Sequence, residues 1–279
     1  MTSDASGPVT APGDDPLVGG SEPPELSIMT FNVLRTRAGS ASWLRRRDPI
    51  RTLLQRERPT LLGAQEALPH QADLLRAALG DGYRLLGHGR DADGSGEACP
   101  LVYDATRLDL VEWDQRALSR RPDVPGSRSW GSLYPRIVVR AVFTDRATGG
   151  RFTALNTHLD VLSPPARRRA AELIVASAGG GPAIVTGDFN AGATFPSRRI
   201  LTRAGLEDGW ALARTRLTPE WSTYIPGGRP RRGGPRIDAI HVRGFDVASV
   251  GIDARPVGGG LPSDHLPVQA VVRQRAVAA

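Results

Sequence analysis

The sequence predicts a single α/β domain in which mixed β-sheets are covered by helices, and three observations support that expectation. The chain has 279 residues, 40% of them apolar and 23% charged, which is enough to bury a sizeable core. Apolar strand-like runs alternate irregularly with helix-like segments. Several neighbouring runs are joined by short turn sequences, the mark of antiparallel hairpins. The same reading excludes two classes. No apolar run is long enough to cross a bilayer. Cys99 is the only cysteine, so neither an intrachain disulfide nor a zinc site built on several thiolates is available.

In chain order, residues 1–25 are rich in Gly, Pro, Ser, Asp and Thr, lack apolar periodicity and read as a disordered tail, with one ordered domain over 26–279. LSIMTFNVL reads as a buried strand ending near Asn32. Asp48-Pro49 is expected to start a helix, with Asp48 as N-cap. TLLGAQEAL is a second buried strand with Glu66 at its end, and Pro69 opens a helix that stops at Gly80. YRLLG is a short strand, and GHGRDADGSGEA is expected to be a mobile substrate-side loop. PLVYD and RLDLVEW read as the two arms of a hairpin. RIVVRAVFTD and RFTALNTHLD read as another, about the turn RATGG. PPARRRAAELIVASAGGG is a capped helix, PAIVTGDFN a buried strand, and FPSRRILTRAG a short helix. PRIDAIHVRG, FDVASVGID and HLPVQAVVRQ complete the strands.

The charge is uneven. Residues 1–25 carry five acidic groups (Asp4, Asp14, Asp15, Glu22, Glu25) and no basic one, so a chain of net charge +7 has +12 on residues 26–279. All 36 basic residues are arginine. That composition fits either a GC-rich coding sequence or a body suited to anionic ligands, since guanidinium binds carboxylate and phosphate through two parallel bonds. The first residues lack a charged start and an apolar core of the secretory type, so a cytoplasmic location is expected.

Six apolar runs each end in a small polar set: Asn32, Glu66, His158 with Asp160, Asp188 with Asn190, Asp238, and Asp264 with His265. Catalytic groups in α/β folds gather outside strand ends, so residues scattered along the chain can converge there. Each alone is more often a loop cap or a core hydrogen-bonding group. The ordered set is harder to explain by chance.

The blocks TFNVLR, GAQEA, NTHLD, TGDFNA, RIDAI and SDHLPV, which span residues 26–271 and so nearly all of the expected ordered chain, resemble the endonuclease/exonuclease/phosphatase superfamily, of DNase I-like fold. The resemblance implies a four-layer α/β sandwich, two mixed sheets flanked by helices, and metal-dependent phosphoester hydrolysis. It implies Glu66 as the principal ligand of Mg²⁺ or Mn²⁺, with Asn32 contacting the metal or orienting a ligand, and Asp264 as a further metal ligand. Asp188 is then expected to hold and deprotonate the attacking water, and Asn190 to help fix that water and a phosphate oxygen. His158 and His265 would bracket the phosphate, with Asp238 orienting His265. Asp264 and His265 are expected to point opposite ways on an extended chain. Hydrolysis of a phosphoester needs such a hard cation, an activated water and donors for the developing charge.

Arg136, Arg90 and Glu97 are speculative substrate contacts; for Arg136 a salt bridge within the sheet is the competing reading. The arginine runs at 45–47, 167–169 and 229–232 and the rings of Trp130 and Trp221 are candidates for a nucleic-acid or cleft surface. The substrate is a phosphodiester or phosphomonoester, a small molecule or a nucleic acid, and a monomer is expected. A non-catalytic phosphate- or nucleic-acid-binding module on the same fold is the alternative. A serine hydrolase is disfavoured because no G-x-S-x-G elbow is present.

Overall fold

The computed structural model describes residues 15–276. The elements of the first half are β1 (Glu25–Asn32), α1 (Ala41–Glu57), β2 (Leu61–Gln65), α2 (Pro69–Leu79), β3 (Tyr83–Leu86), β4 (Leu101–Asp104), β5 (Leu108–Ala117) and β6 (Ile137–Asp145). They are followed by β7 (Arg151–His158), α3 (Pro164–Ala178), β8 (Ala183–Asp188), α4 (Pro196–Arg203), β9 (Glu207–Asp208), α5 (Gly209–Leu212), β10 (Thr215–Arg216), β11 (Asp238–Arg243), β12 (Phe245–Ile252) and β13 (Val268–Gln274). One sheet has seven strands in the order β10-β12-β13-β1-β2-β4-β3, and the other has six in the order β5-β6-β7-β8-β11-β9. Both are mixed: β1 runs parallel to β2 and antiparallel to β13, while β7 runs parallel to β8 and antiparallel to β6.

The central strands read as continuous apolar runs because both of their faces are covered. Leu26 and Ile28 of β1, Leu61 of β2, Phe152 and Ala154 of β7 and Ile184 of β8 meet in the core between the sheets. The alternate residues Met29 and Phe31 pack with Ile50, Leu53 and Leu54 of α1 and Leu75 of α2. On the far side, Leu155 and Val185 pack with Ala170 and Ile174 of α3 and Leu201 of α4. The result is the expected four layers, with helices outside and two sheets within.

Toward the site end, the inner core turns polar. Gln65 Nε2 donates to Asn156 Oδ1 (2.7 Å), and Asn156 Nδ2 donates to the carbonyls of Ala64 and Pro100 (2.6 and 2.9 Å). Thr186 Oγ1 lies 3.1 Å from the same Asn156 oxygen. The bonds of Asn156 to Gln65 and to the Ala64 carbonyl cross from one sheet to the other, and Gly63 makes room for them: a Cβ there would collide with Thr186 Oγ1 and Asn156 Oδ1.

Four expectations are corrected. First, residues 15–24 are held to the body. The backbone N–H groups of Leu17, Val18 and Gly19 donate to the Glu57 carboxylate (3.0–3.2 Å), and Arg255 Nη1 donates to the Asp15 carbonyl (2.8 Å). The disorder expected for residues 1–14 falls outside the described residues. Second, α1 begins well before Asp48, with Ser40 as the N-cap accepting from Trp43 N (3.2 Å) and Pro49 in the interior. The missing Pro49 N–H costs one helical bond, but Trp43, Pro49, Ile50 and Leu53 share a buried face that holds the helix to the sheet. Third, β4 and β5 are no hairpin. They belong to different sheets, and the chain crosses between layers at the Thr106–Arg107 turn. Fourth, the glycine-rich loop is closed by its own backbone bonds, Gly89 N to Gly94 O, Arg90 N to Glu97 O and Asp91 N to Ser95 O (2.9–3.0 Å). Among the described residues, no helix is long and apolar enough to cross a membrane.

Candidate active site

Strand register assembles the site. Asn32 ends β1 opposite Gln65 at the end of parallel β2, which sets Glu66 beside it. In the other sheet, His158 of β7 pairs with Asp188 of β8, and Asp188 pairs with Asp238 of β11. Both rows open at the same end of the sandwich, onto a cavity of 290 Å³. Its lining includes Glu66, His158, Asp188, Asn190, Asp264 and His265, together with Arg90, Glu97 and Arg136. Asn32 and Asp238 are buried just behind the wall, while Asp160 is not part of the lining.

Asn32 joins the two halves. Its Nδ2 donates to Glu66 Oε1 and to Asp188 Oδ2, both at 3.0 Å, and its Oδ1 accepts from Leu34 N. The amide thus holds the two carboxylates at a fixed spacing. Glu66 Oε2 accepts from Arg35 N (2.9 Å). Glu66 and Asn190 both lie in the left-handed region, at φ 60° and 46°, a conformation that non-glycine residues hold only where the surroundings impose it.

Asp188 is buried. Its Oδ1 accepts from Asn190 N (2.9 Å), and its Oδ2 lies 3.4 Å from His158 Nε2 and 3.9 Å from His265 Nε2. Burial, reinforced by Asp238, pushes its pKa up to about 7, against the pull of His265. His265 Nδ1 donates to Asp238 Oδ2 at 2.8 Å. Burial opposes the imidazolium, but Asp238 and Asp188 overrule it and raise His265 to about 10. His158 goes the other way. Burial, then Arg136 and His265, hold it well below the usual histidine range, so it is neutral and its approach to Asp188 is no ion pair. Asn190 Nδ2 donates to His158 Nε2 and to the Leu159 carbonyl, both at 3.0 Å.

Two groups deserve comparison as cation seats. Asp188, Asp238 and His265 each bring one ligand atom within 4.8 Å of the others. An imidazolium cannot ligate a metal, however, and His265 Nδ1 is already committed to Asp238. Glu66 and Asp264 offer only oxygen and face the same cavity, where burial and then Glu66 raise the Asp264 carboxyl against His265. Two carboxylates forced together at a water-accessible cavity suit a hard cation such as Mg²⁺ or Mn²⁺. Asp264 and His265 line the same cavity, contrary to the opposed orientation expected of them. The 263–266 segment is not a regular strand but is tied by Ile225 N to Asp264 O and Leu266 N to Thr223 O (both 2.8 Å).

The remaining expectations separate cleanly. Glu97 lines the cavity, and its carboxylate is shared by Arg90 (2.6 Å) and Arg35 (2.8 Å). Arg136 makes no salt bridge within the sheet. Asp160 is a loop cap, accepting from Ser132 Oγ and from the N–H groups of Leu133, Leu162 and Ser163. Arg46 donates to the carbonyls of Val33, Leu34 and Pro262, and Arg167 to those of Asp160 and Val161, so both are structural pins. Trp130 and Trp221 do not line the cavity. Tyr134 and Tyr224 do, the latter with its ring 4.9 Å from that of His265. Neither tyrosine lies in a strand-end motif, and Arg35, although it sits in TFNVLR, is one arginine among 36, so the sequence carries no signal for them.

A sequence profile of the Endonuclease/Exonuclease/phosphatase family matches residues 29–265, which contain both rows of the site. The chain belongs to this family. Among solved structures, a family member from Bacteroides vulgatus is 30% identical, the match covering 90% of this chain and 99% of that one with a TM-score of 0.83. A mannosyl-6-phosphatase from Bacteroides thetaiotaomicron is 28% identical, over 88% of this chain and 99% of that one, with a TM-score of 0.79. The human Nocturnin catalytic domain shares the fold at 19% identity and a TM-score of 0.68, over 90% of this chain and 94% of that one. A search of curated proteins finds no match.

Proposed function

We propose that the protein is a divalent-metal-dependent phosphoesterase whose water-activating group is Asp188. The observation that supports this reading is the convergence of Asp188, Asn190, His158, Asp238 and His265 around one cavity beside the carboxylates of Glu66 and Asp264. A pure binding module has no need of a buried carboxylate set beside a charged imidazole.

In this reading, Glu66 and Asp264 hold the cation, and Asn32 fixes Glu66 relative to Asp188. A bound Mg²⁺ or Mn²⁺ would supply Lewis acidity that offsets charge on the phosphoryl group. Asp188 accepts the proton of the attacking water, and Asn190, whose Nδ2 is committed to His158 and the Leu159 carbonyl, orients that water through its Oδ1. His265, held as a cation by Asp238, donates to an oxygen where negative charge develops. His158 is neutral, so it contributes a hydrogen bond and no charge. Tyr134 and Tyr224 at the mouth suit a sugar or other ring on the ester. The mannosyl-6-phosphatase among the relatives supports a small phosphorylated substrate of this kind.

The test is a hydrolysis panel with and without Mg²⁺, comparing wild type with Asp188→Asn. The panel holds a chromogenic phosphodiester, a phosphomonoester, plasmid DNA, single-stranded RNA and sugar phosphates. Metal-dependent turnover that disappears in Asp188→Asn is expected. Full activity in that variant, or after exhaustive chelation, would overturn the assignment.

A further inference from the structure

Arg136 is the one guanidinium in the cavity wall that lacks a protein partner among the described residues. It is 6% exposed, and its Nε and Nη1 are buried without a hydrogen bond. A buried, unpaired cation is costly, and proteins retain one where a ligand completes it. Its neighbours do not complete it. The Asp160 carboxylate is occupied by four donors, and the Cys99 thiol is kept neutral by burial, its pKa pushed up to about 12. Glu97 is divided between Arg35 and Arg90. Arg90 also stacks on the half-exposed Tyr134 ring, 4.8 Å from its centroid, which fixes a second guanidinium beside the first. Arg35 and Arg90 therefore share one carboxylate while Arg136 has none, and this wall carries a surplus of positive charge.

The position of the wall matters as much as its charge. Arg136 precedes β6, and the strand order β6-β7-β8 sets it two strands from Asp188, with His158 between. Two strand spacings separate the backbones by roughly 10 Å. The charged neighbours that act on the Arg136 guanidinium are Arg90, Asp160 and Glu97, and neither Asp188 nor Glu66 is among them. The scissile phosphoryl must lie within reach of Asp188 and His265, so a group seated against Arg136 is a different part of the substrate.

We propose that Arg136, supported by Arg90, is a specificity subsite for a second, non-reacting anionic group, so that the preferred substrate is a small phosphoester carrying a further phosphate or carboxylate. This rests on the phosphoesterase reading for the scissile group. The 290 Å³ of the cavity suits a compact molecule with both anions close together. The planar fork of arginine matches either anion.

The experiment measures binding, so that it stands apart from turnover. Calorimetric titrations of the Mg²⁺-loaded, full-length Asp188→Asn protein compare fructose 1,6-bisphosphate, 6-phosphogluconate, fructose 6-phosphate and the dinucleotide pTpT. The two doubly anionic sugars are expected to bind at least tenfold tighter than the monophosphate. Adding Arg136→Gln is expected to collapse that ratio, and adding Arg136→Lys to restore part of it. In anion-free buffer, Arg136→Met in the otherwise wild-type chain is expected to melt at or above the wild-type temperature, because it removes an unpaired buried charge. Equal affinities for one and two anions would overturn the proposal, as would a ratio that survives Arg136→Gln or tighter binding of pTpT than of any sugar. A melting temperature several degrees lower in Arg136→Met would assign the residue to structure instead. Loss of turnover by the wild type on every substrate would count against the phosphoesterase reading alone.

Discussion

One side-chain nitrogen of Asn32 donates to Asp188, 156 residues further along the chain, and does so at 3.0 Å while also holding Glu66 at the same distance. That shared amide ties the metal side of the cavity to the water side. Asn32→Ala should therefore lower kcat by about 10²-fold, since both carboxylates lose their common anchor. Asn32→Asp should be worse, because it sets a third negative charge between two others. Steady-state kinetics at saturating metal, with circular dichroism to verify folding, tests this. A variant retaining half the wild-type kcat would exclude the anchoring role.

Asp238 acts on the chemistry through His265, to which it is bonded at 2.8 Å. Asp238→Asn keeps the shape and removes the charge that sustains the imidazolium. The expected result is a fall in kcat of about 10²-fold or more, with a smaller change in KM. Equal losses in Asp238→Asn and in the double variant Asp238→Asn, His265→Gln would show the two acting as one unit; additive losses would separate them.

Glu66 is the carboxylate that Asn32 and Arg35 N hold in place. Glu66→Gln should raise the Mg²⁺ concentration for half-maximal activity by roughly tenfold or more, and weaken Mn²⁺ binding in parallel. Titration of the apoprotein with Mn²⁺ by paramagnetic relaxation reads the second effect without any substrate. Unchanged Mn²⁺ binding would remove Glu66 from the metal site.

Away from the site, Arg198 is fully buried and donates to His241 Nε2 at 2.6 Å, while His241 Nδ1 faces the Leu206 carbonyl at 2.9 Å. Both ring nitrogens are committed to the neutral form. Burial, with Arg198 adding to it, pushes the His241 pKa down to about 3. Above about pH 6.5, folded and unfolded chains both hold the ring neutral, so it adds no pH dependence. Below that, the unfolded chain binds a proton that the folded chain refuses. Stability then falls as pH drops from about 6.5 toward 3, by about 1 kcal/mol over the first unit. Urea midpoints at pH 7.5 and 5.5 should separate more in wild type than in His241→Gln. Equal separations would contradict the assignment.

Gly63 lies where β2 faces Asn156 and Thr186 of the other sheet. Gly63→Ala should cost about 1–3 kcal/mol, since the added methyl displaces the polar bridge between sheets. Denaturant unfolding checks this, and a neutral substitution would show that the sheets can part there without penalty.

Much of this protein was legible in one dimension. Apolar runs such as LSIMTFNVL and PAIVTGDFN predict buried strands because both faces of each sheet are covered, and Asn32 and Asp188 end those runs where the fold opens. The helix at Pro69 and the cap before Pro164 follow from local backbone rules that need no tertiary context. The start of α1 was less legible: Ser40 caps it, but Pro49 is a stronger local signal, and only the packing of Trp43 against the sheet overrides it. Leu101–Asp104 and Leu108–Ala117 resemble a hairpin by spacing alone, because a turn between partners and a turn between layers look the same in sequence.

The sequence by itself determined most element types, the mixed sheets covered by helices and the identity of the polar groups at the strand ends, since hydrophobic period and residue chemistry are local properties; the four layers came from the family resemblance. Only the tertiary structure decided which of those groups touch. It turned Asp264 and His265 into one cavity, gave Glu97 to two arginines, made His158 neutral and His265 charged, and left Arg136 buried without a partner. Each of these depends on distances between strands that are far apart in sequence, and on burial, which no single stretch of chain contains.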